Sequence, residues 1–123
     1  MDIDLAERLF QFAVNVIKFL RHLPNEPEFN NIRFQLSKSS SSSGANYEEG
    51  CGAESRADFI HKMSVVLKEL KESRFWLRLI GRTQMLPPKE INPVIDECKQ
   101  LCAIIGKSIS TAKRGRTRSN IVN

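Results

Sequence analysis

The sequence predicts an all-α protein, an antiparallel up-down four-helix bundle. Two observations carry this: apolar residues recur at alternating four- and three-residue spacing in three long segments, and prolines fall between those segments. No repeated alternation of period two calls for a sheet. At 123 residues the chain can bury one core, and 41% apolar with 27% charged residues is globular rather than disordered composition. We divide it into a bundle, residues 1–112, and a basic, disordered C-terminal tail, residues 113–123.

The first helix spans residues 4–22, with Leu5, Leu9, Phe12, Val16, Phe19 and Leu23 as its seam. A second seam runs beside it through Ala6, Phe10, Ala13, Ile17 and Leu20, more apolar surface than one partner face needs. Asp2, Asp4 and Glu7 favour the N-terminal dipole, and Pro24 and Pro27 end the helix. Residues 28–54 are ambiguous. The run Ser39 to Ser43 has linker composition, and five serines in a helix cost roughly 0.5 kcal/mol each against alanine. Yet Ile32, Leu36, Ser40, Ser43 and Tyr47 keep helical spacing, and no proline interrupts them.

The third helix opens on a capping box, Ser55-Arg56-Ala57-Asp58, and continues through Phe59, Met63, Val66, Leu70, Ser73, Leu77 and Ile80 to Gly81 as its C-cap. The fourth carries Ile91, Ile95, Cys98, Cys102, Ile105 and Ile109, with Val94, Leu101 and Ala112 alongside. Its start is open between Pro88 and Asn92, and its pattern stops after Ala112.

No run of 18 uncharged apolar residues occurs, so no membrane span is expected. The acidic start Met1-Asp2-Ile3-Asp4 does not suit a secretion signal, and the expected location is the cytoplasm. Three cysteines without such a signal are read as reduced thiols. Cys98 and Cys102 share a helical face; they are either core residues or half of a zinc site completed by His22 or His61, and core is the preferred reading, with no metal or cofactor expected.

The net charge is +5, and Lys113, Arg114, Arg116 and Arg118 supply four positive charges with no acid among residues 113–123, so the body is nearly neutral. This tail suits nonspecific phosphate contact or serves solubility alone. Lys71, Arg74, Arg78 and Arg82 form a stripe about 16 Å long that either tracks phosphates or is a solvated face offset by Glu69 and Glu72. Neither element shows interleaved aromatics, so base readout is not expected. Asn46, Tyr47, Glu48 and Glu49 are read as a polar network rather than a catalytic cluster, and Trp76 as core or subunit interface.

Several segments together resemble a known family. They are Leu36-Ser37-Lys38 through Ser43-Gly44-Ala45-Asn46-Tyr47-Glu48-Glu49-Gly50, then Ser55-Arg56-Ala57-Asp58-Phe59-Ile60-His61-Lys62-Met63-Ser64, Leu67-Lys68-Glu69 and Phe75-Trp76-Leu77. They look like the bacterial four-helix-bundle proteins encoded within intervening sequences of large-subunit ribosomal RNA genes, over about residues 5–110. That family has a relative in the accessory variability protein of diversity-generating retroelements. The resemblance implies that residues 30–50 are helical, serines included. It further implies a ring-like homo-oligomer, a pentamer, and no catalysis. As partners it implies RNA or DNA and, by analogy, a reverse transcriptase or other protein. Lys38, Gly44, Asn46, Tyr47, Glu48, Ser55, Asp58 and Trp76 are its motif positions. Lys38 replaces the usual Arg, Ser43 the usual aliphatic, and Pro93 stands where proline is not usual. The rival reading is a protein-interaction scaffold that binds no nucleic acid.

Overall fold

The computed structural model describes the backbone of residues 2–83 and 85–122, and the side chains of 5–83 and 85–115. Four helices follow in order: α1 (Asp2–Leu20), α2 (Pro27–Cys51), α3 (Arg56–Arg82) and α4 (Pro88–Val122), with no strand among the described residues. They stand as a square. The α2–α3 and α3–α4 faces are the most extensive, α1 closes against α2 and, more sparsely, α4, and the diagonal backbones stay farther apart. The core takes one stripe from each rod: Leu9, Phe12 and Val16; Leu36 and Tyr47; Met63, Val66, Leu70 and Leu77; Ile91, Cys98, Leu101 and Ile105.

The serine run is the middle of α2, as the resemblance implies and as propensity alone does not. Ser39, Ser40, Ser43 and Ser73 are all buried, and their hydroxyls are satisfied locally or across the interface. Ser40 Oγ donates to the Leu36 carbonyl at 2.7 Å, and Ser43 Oγ to the Ser40 carbonyl at 2.7 Å. Ser39 and Ser73 link α2 to α3 through their hydroxyls at 2.8 Å. With side chains this short, the neighbouring rods come very close. A Cβ added at Gly44 would lie 3.7 Å from the Leu9 backbone, and one at Gly50 only 2.5 Å from the Met63 methyl and 3.0 Å from Lys62 Cβ.

The helix ends correct several expectations. The Ser55 side chain accepts from the Asp58 N–H at 3.1 Å, as its capping box requires. The cap at the other end of α3 is Thr83, not Gly81: Thr83 Oγ1 donates to the Leu79 carbonyl at 2.8 Å, and Gly81 lies within the helix against Ile95. The fourth helix begins at Pro88, where a missing N–H costs nothing, and Pro93 is taken in near its start. Nor does the backbone stop being helical at Ala112; α4 runs to Val122. The apolar pattern ends there although nothing in the sequence breaks the helix. Beyond Pro93 there is no proline, and a helical Gly115 costs only about 1 kcal/mol.

A larger side chain in the serine face must push rods apart. Ser40→Leu is expected to lower stability by about 1–3 kcal/mol in urea denaturation followed by circular dichroism. Gly106 has no heavy atom within 4 Å of an added Cβ, so Gly106→Ala should raise stability by up to about 1 kcal/mol in the same measurement.

Candidate nucleic-acid interface

Side chains on one helix share a face when their angles, at 3.6 residues per turn, agree. Taking Lys71 as origin, Arg78 falls about 20° to one side and Arg82 about 20° to the other, and all three are exposed. Arg74 falls about 60° away, toward buried Leu70 and Leu77, and is half-buried. Its Nε is enclosed and has no hydrogen-bond partner. Arg74 therefore leaves the stripe. Lys68, about 60° to the other side and exposed, extends it, and spacing had not singled it out.

The same geometry places an aromatic ring within the stripe. Phe75 lies about 40° from Lys71, between the cations, and is 56% exposed. The expectation of no interleaved aromatic is thus corrected. Spacing of cations alone does not reveal it, because the ring lies one turn from Lys71 and three residues before Arg78. Trp76 is half-buried and donates from Nε1 to Glu72 Oε2 at 3.3 Å. Phe75 meets it edge to face, with ring centroids 5.1 Å apart and planes at 81°. Phe75, Arg78, Leu79 and Arg82 line an open notch of about 280 Å³.

The C-terminal cations form a separate region. Lys113 and Arg114 are exposed on α4, while the side chains of Arg116 and Arg118 lie outside the described residues. A Cβ at Gly115 would sit 3.6 Å from the Arg56 guanidinium carbon, so this region adjoins the beginning of α3. The length of α3 separates Arg56 from Arg82 by about 39 Å. The two basic elements are not brought together. Between α1 and α4 on the Arg56 side, a cleft of about 860 Å³ opens, lined among others by Leu5, Arg8, Tyr47, Phe59, Ile104 and Lys107.

The motif residues do structural work. Asn46 Nδ2 donates to the Ser42 carbonyl at 2.9 Å, and Lys62 Nζ donates to Glu49 Oε1 at 2.7 Å and to Asn46 Oδ1 at 3.4 Å, tying α2 to α3. Tyr47 is buried; Lys38 and Glu48 are exposed. Asn46, Glu49 and Lys62 thus form a polar link between the two rods. Arg8 grips Glu97 through two bonds of 3.0 and 2.7 Å, joining α1 to α4, and His22 meets Glu90.

Cys98 is core, whereas Cys102 is only half-buried, which corrects the reading of both as core residues. No group of three or more potential metal ligands occurs among the described residues. Cys98 Sγ donates to the Leu70 carbonyl at 3.3 Å. Its hydrogen bond with Cys102, reinforced by burial, pushes the Cys98 thiol far up. That bond holds Cys102 down at about 7, against its own burial and with help from Arg74 and Lys71. The single Cys98 proton serves only one of these two acceptors at a time.

No helix among the described residues is long and apolar enough to cross a membrane. Residues 1–107 match a family model described as 23S rRNA-intervening sequence protein. A solved structure of a protein with unknown function, from the S23 ribosomal protein family of Bacteroides thetaiotaomicron, is similar at 30% identity and a TM-score of 0.79. The similarity covers 85% of this chain and 97% of that one. No curated protein matches.

The thiol pair yields a pH prediction. Alkylation of Cys102 by iodoacetamide, followed by peptide mass spectrometry, should rise with pH around a midpoint of about 7, ahead of Cys98. Cys98→Ala removes the bond that favours the thiolate, so the midpoint should move upward. An unchanged midpoint would contradict the assignment.

Proposed function

The chain belongs to the 23S rRNA-intervening sequence protein family, and from that membership we propose that it is a non-enzymatic, cytoplasmic, homo-oligomeric adaptor that binds RNA or DNA. The observation that carries this reading is the exposed stripe of Lys68, Lys71, Arg78 and Arg82 along α3. Four cations on one face, spread over some 21 Å, suit the regular charge of a phosphate backbone. Glu72, which keeps its charge while accepting from the Trp76 indole, leaves the face with a clear net positive charge. The cations at the end of α4 add a second, weaker contact region.

Within this proposal the rods are antiparallel. The pairings Arg8 with Glu97 and His22 with Glu90 support that for α1 and α4. Asn46 with Lys62 and Ser39 with Ser73 do so for α2 and α3. The assembly is a ring of five, in line with the family resemblance. Phe10 and Ile17, from the second seam of α1, are 57% and 42% exposed and provide apolar surface for such contacts. A ring would repeat each basic stripe around its circumference and multiply weak phosphate contacts.

Two outcomes follow. Filter binding of structured RNA should weaken steeply with salt, and replacing Lys71, Arg78 and Arg82 by Gln should lower the slope of log affinity against log salt by about 2–3. Absence of RNA retention at low salt, with a protein partner co-purifying after nuclease treatment, would favour a scaffold instead. Light scattering should report about five subunits, and the double change Phe10→Asp with Ile17→Asp should release monomers of unaltered helical content. A monomeric wild-type protein would remove the ring.

A further inference from the structure

Phosphate contact accounts for the cations of the α3 stripe but not for the ring among them. What sets Phe75 apart is its place, 56% exposed in the middle of a row of cations. The ring stands edge to face on Trp76, whose indole donates to Glu72, and its other side is turned to solvent. Arg78, Leu79 and Arg82 complete the notch around it, with Lys71 one turn earlier on the same face.

An aromatic face beside guanidinium groups recognises a flat, apolar-faced group that carries a phosphate. We infer that Phe75 is a stacking platform for an unpaired nucleobase, with Arg78 and Arg82 holding the adjoining phosphates. The inference rests on the nucleic-acid reading above and narrows it to single-stranded stretches, such as loops, bulges and ends. In a duplex the bases are stacked on each other, and their faces are closed to a side chain. Stacking on phenylalanine is indifferent to base identity, so the notch selects unpaired over paired structure rather than one sequence over another.

Charge argues against a second copy docked two-fold on this notch, and a ring contact, which pairs unlike faces, is decided by the subunit number measured below. A two-fold contact through this notch would bring Arg78 and Arg82 against the same cations of the other subunit, and the repulsion would oppose it. A nucleic acid brings the opposite charge together with the flat group.

The test compares the full chain with Phe75→Leu, which keeps apolar bulk without the π face, and with Phe75→Tyr, which keeps that face. The probes are a fluorescent single-stranded oligoadenylate of about 15 nucleotides and an RNA duplex of equal length. Phe75→Leu should bind the single strand about ten- to one-hundred-fold more weakly, with duplex affinity unchanged, and Phe75→Tyr should match the wild type. Trp76, the sole tryptophan, reports locally: its emission should respond to the single strand in the wild type and not in Phe75→Leu. Circular dichroism and light scattering confirm that fold and subunit number are kept. Equal single-strand affinity in Phe75→Leu, or equal weakening on both probes, overturns the stacking site and leaves the adaptor reading standing. A change in subunit number on Phe75→Leu assigns the ring to a contact between copies and likewise overturns it. A wild type that binds neither probe removes the adaptor reading and the stacking site with it.

Discussion

The structure depends on the closeness with which α2 meets its neighbours. Most rods in a bundle are held by large apolar side chains, but the inner face of α2 is mainly Ser39, Ser40, Ser43, Gly44 and Gly50, framed by Ile32, Leu36 and Tyr47. Such a face removes little apolar area from water. Its compensation is proximity: backbone and Cβ atoms of α1 and α3 come within van der Waals reach of the α2 backbone, and dispersion contacts act there instead of methylene burial. The arrangement is possible because each buried hydroxyl finds a carbonyl one turn back or, for Ser39, the hydroxyl of Ser73. Unsatisfied, each would cost about 1–3 kcal/mol, and the tract would be unfit for a core.

That closeness sets the position of everything around it. With α2 drawn in, α3 is fixed on two sides, by the serine contact with α2 and by the Leu70 carbonyl that receives Cys98 of α4. The outward face of α3 is then determined, and Lys68, Lys71, Phe75, Arg78 and Arg82 are what it carries. The sparse side of the square is α1 against α4. Helix α4 has 35 residues and α1 has 19, so the end of α4 outruns its neighbour. The large cleft opens at that end, and the C-terminal cations beyond it lie far from the stripe.

Periodicity reads burial, and it was reliable wherever burial and apolarity coincide. The seams of α1 and α3 were legible for that reason, Leu9 to Phe19 and Met63 to Ile80 alike. Apolarity misleads in opposite directions at two places. In α2 many of the buried residues are serines, so composition points to a linker, while the spacing of Ile32, Leu36, Ser40, Ser43 and Tyr47 and the motif resemblance point to a helix. In α4 the helix continues past Ala112 on mostly polar residues, with Gly115 beside Arg56, so the apolar signal ends before the backbone does. The candidate site shows the same limitation on a finer scale. Spacing of three and four joins Lys71, Arg74, Arg78 and Arg82 into one row, yet angle separates them, because a step of three or of four each misses a full turn by tens of degrees.

Arg74 shows what that angle decides. Turned toward Leu70 and Leu77, its guanidinium works inward: it lowers the Cys102 thiol and keeps its Nε enclosed. A half-buried guanidinium turned there is less free to meet phosphate than the exposed cations, since reaching outward would forfeit the packing of its stem. The exposed stripe therefore keeps four cations with Lys68 counted in place of Arg74, and its centre shifts toward Phe75. A row of cations became a row of cations around a ring. That substitution of one neighbour for another, invisible in the spacing, turns a generic anion-attracting face into one with a place for a flat group.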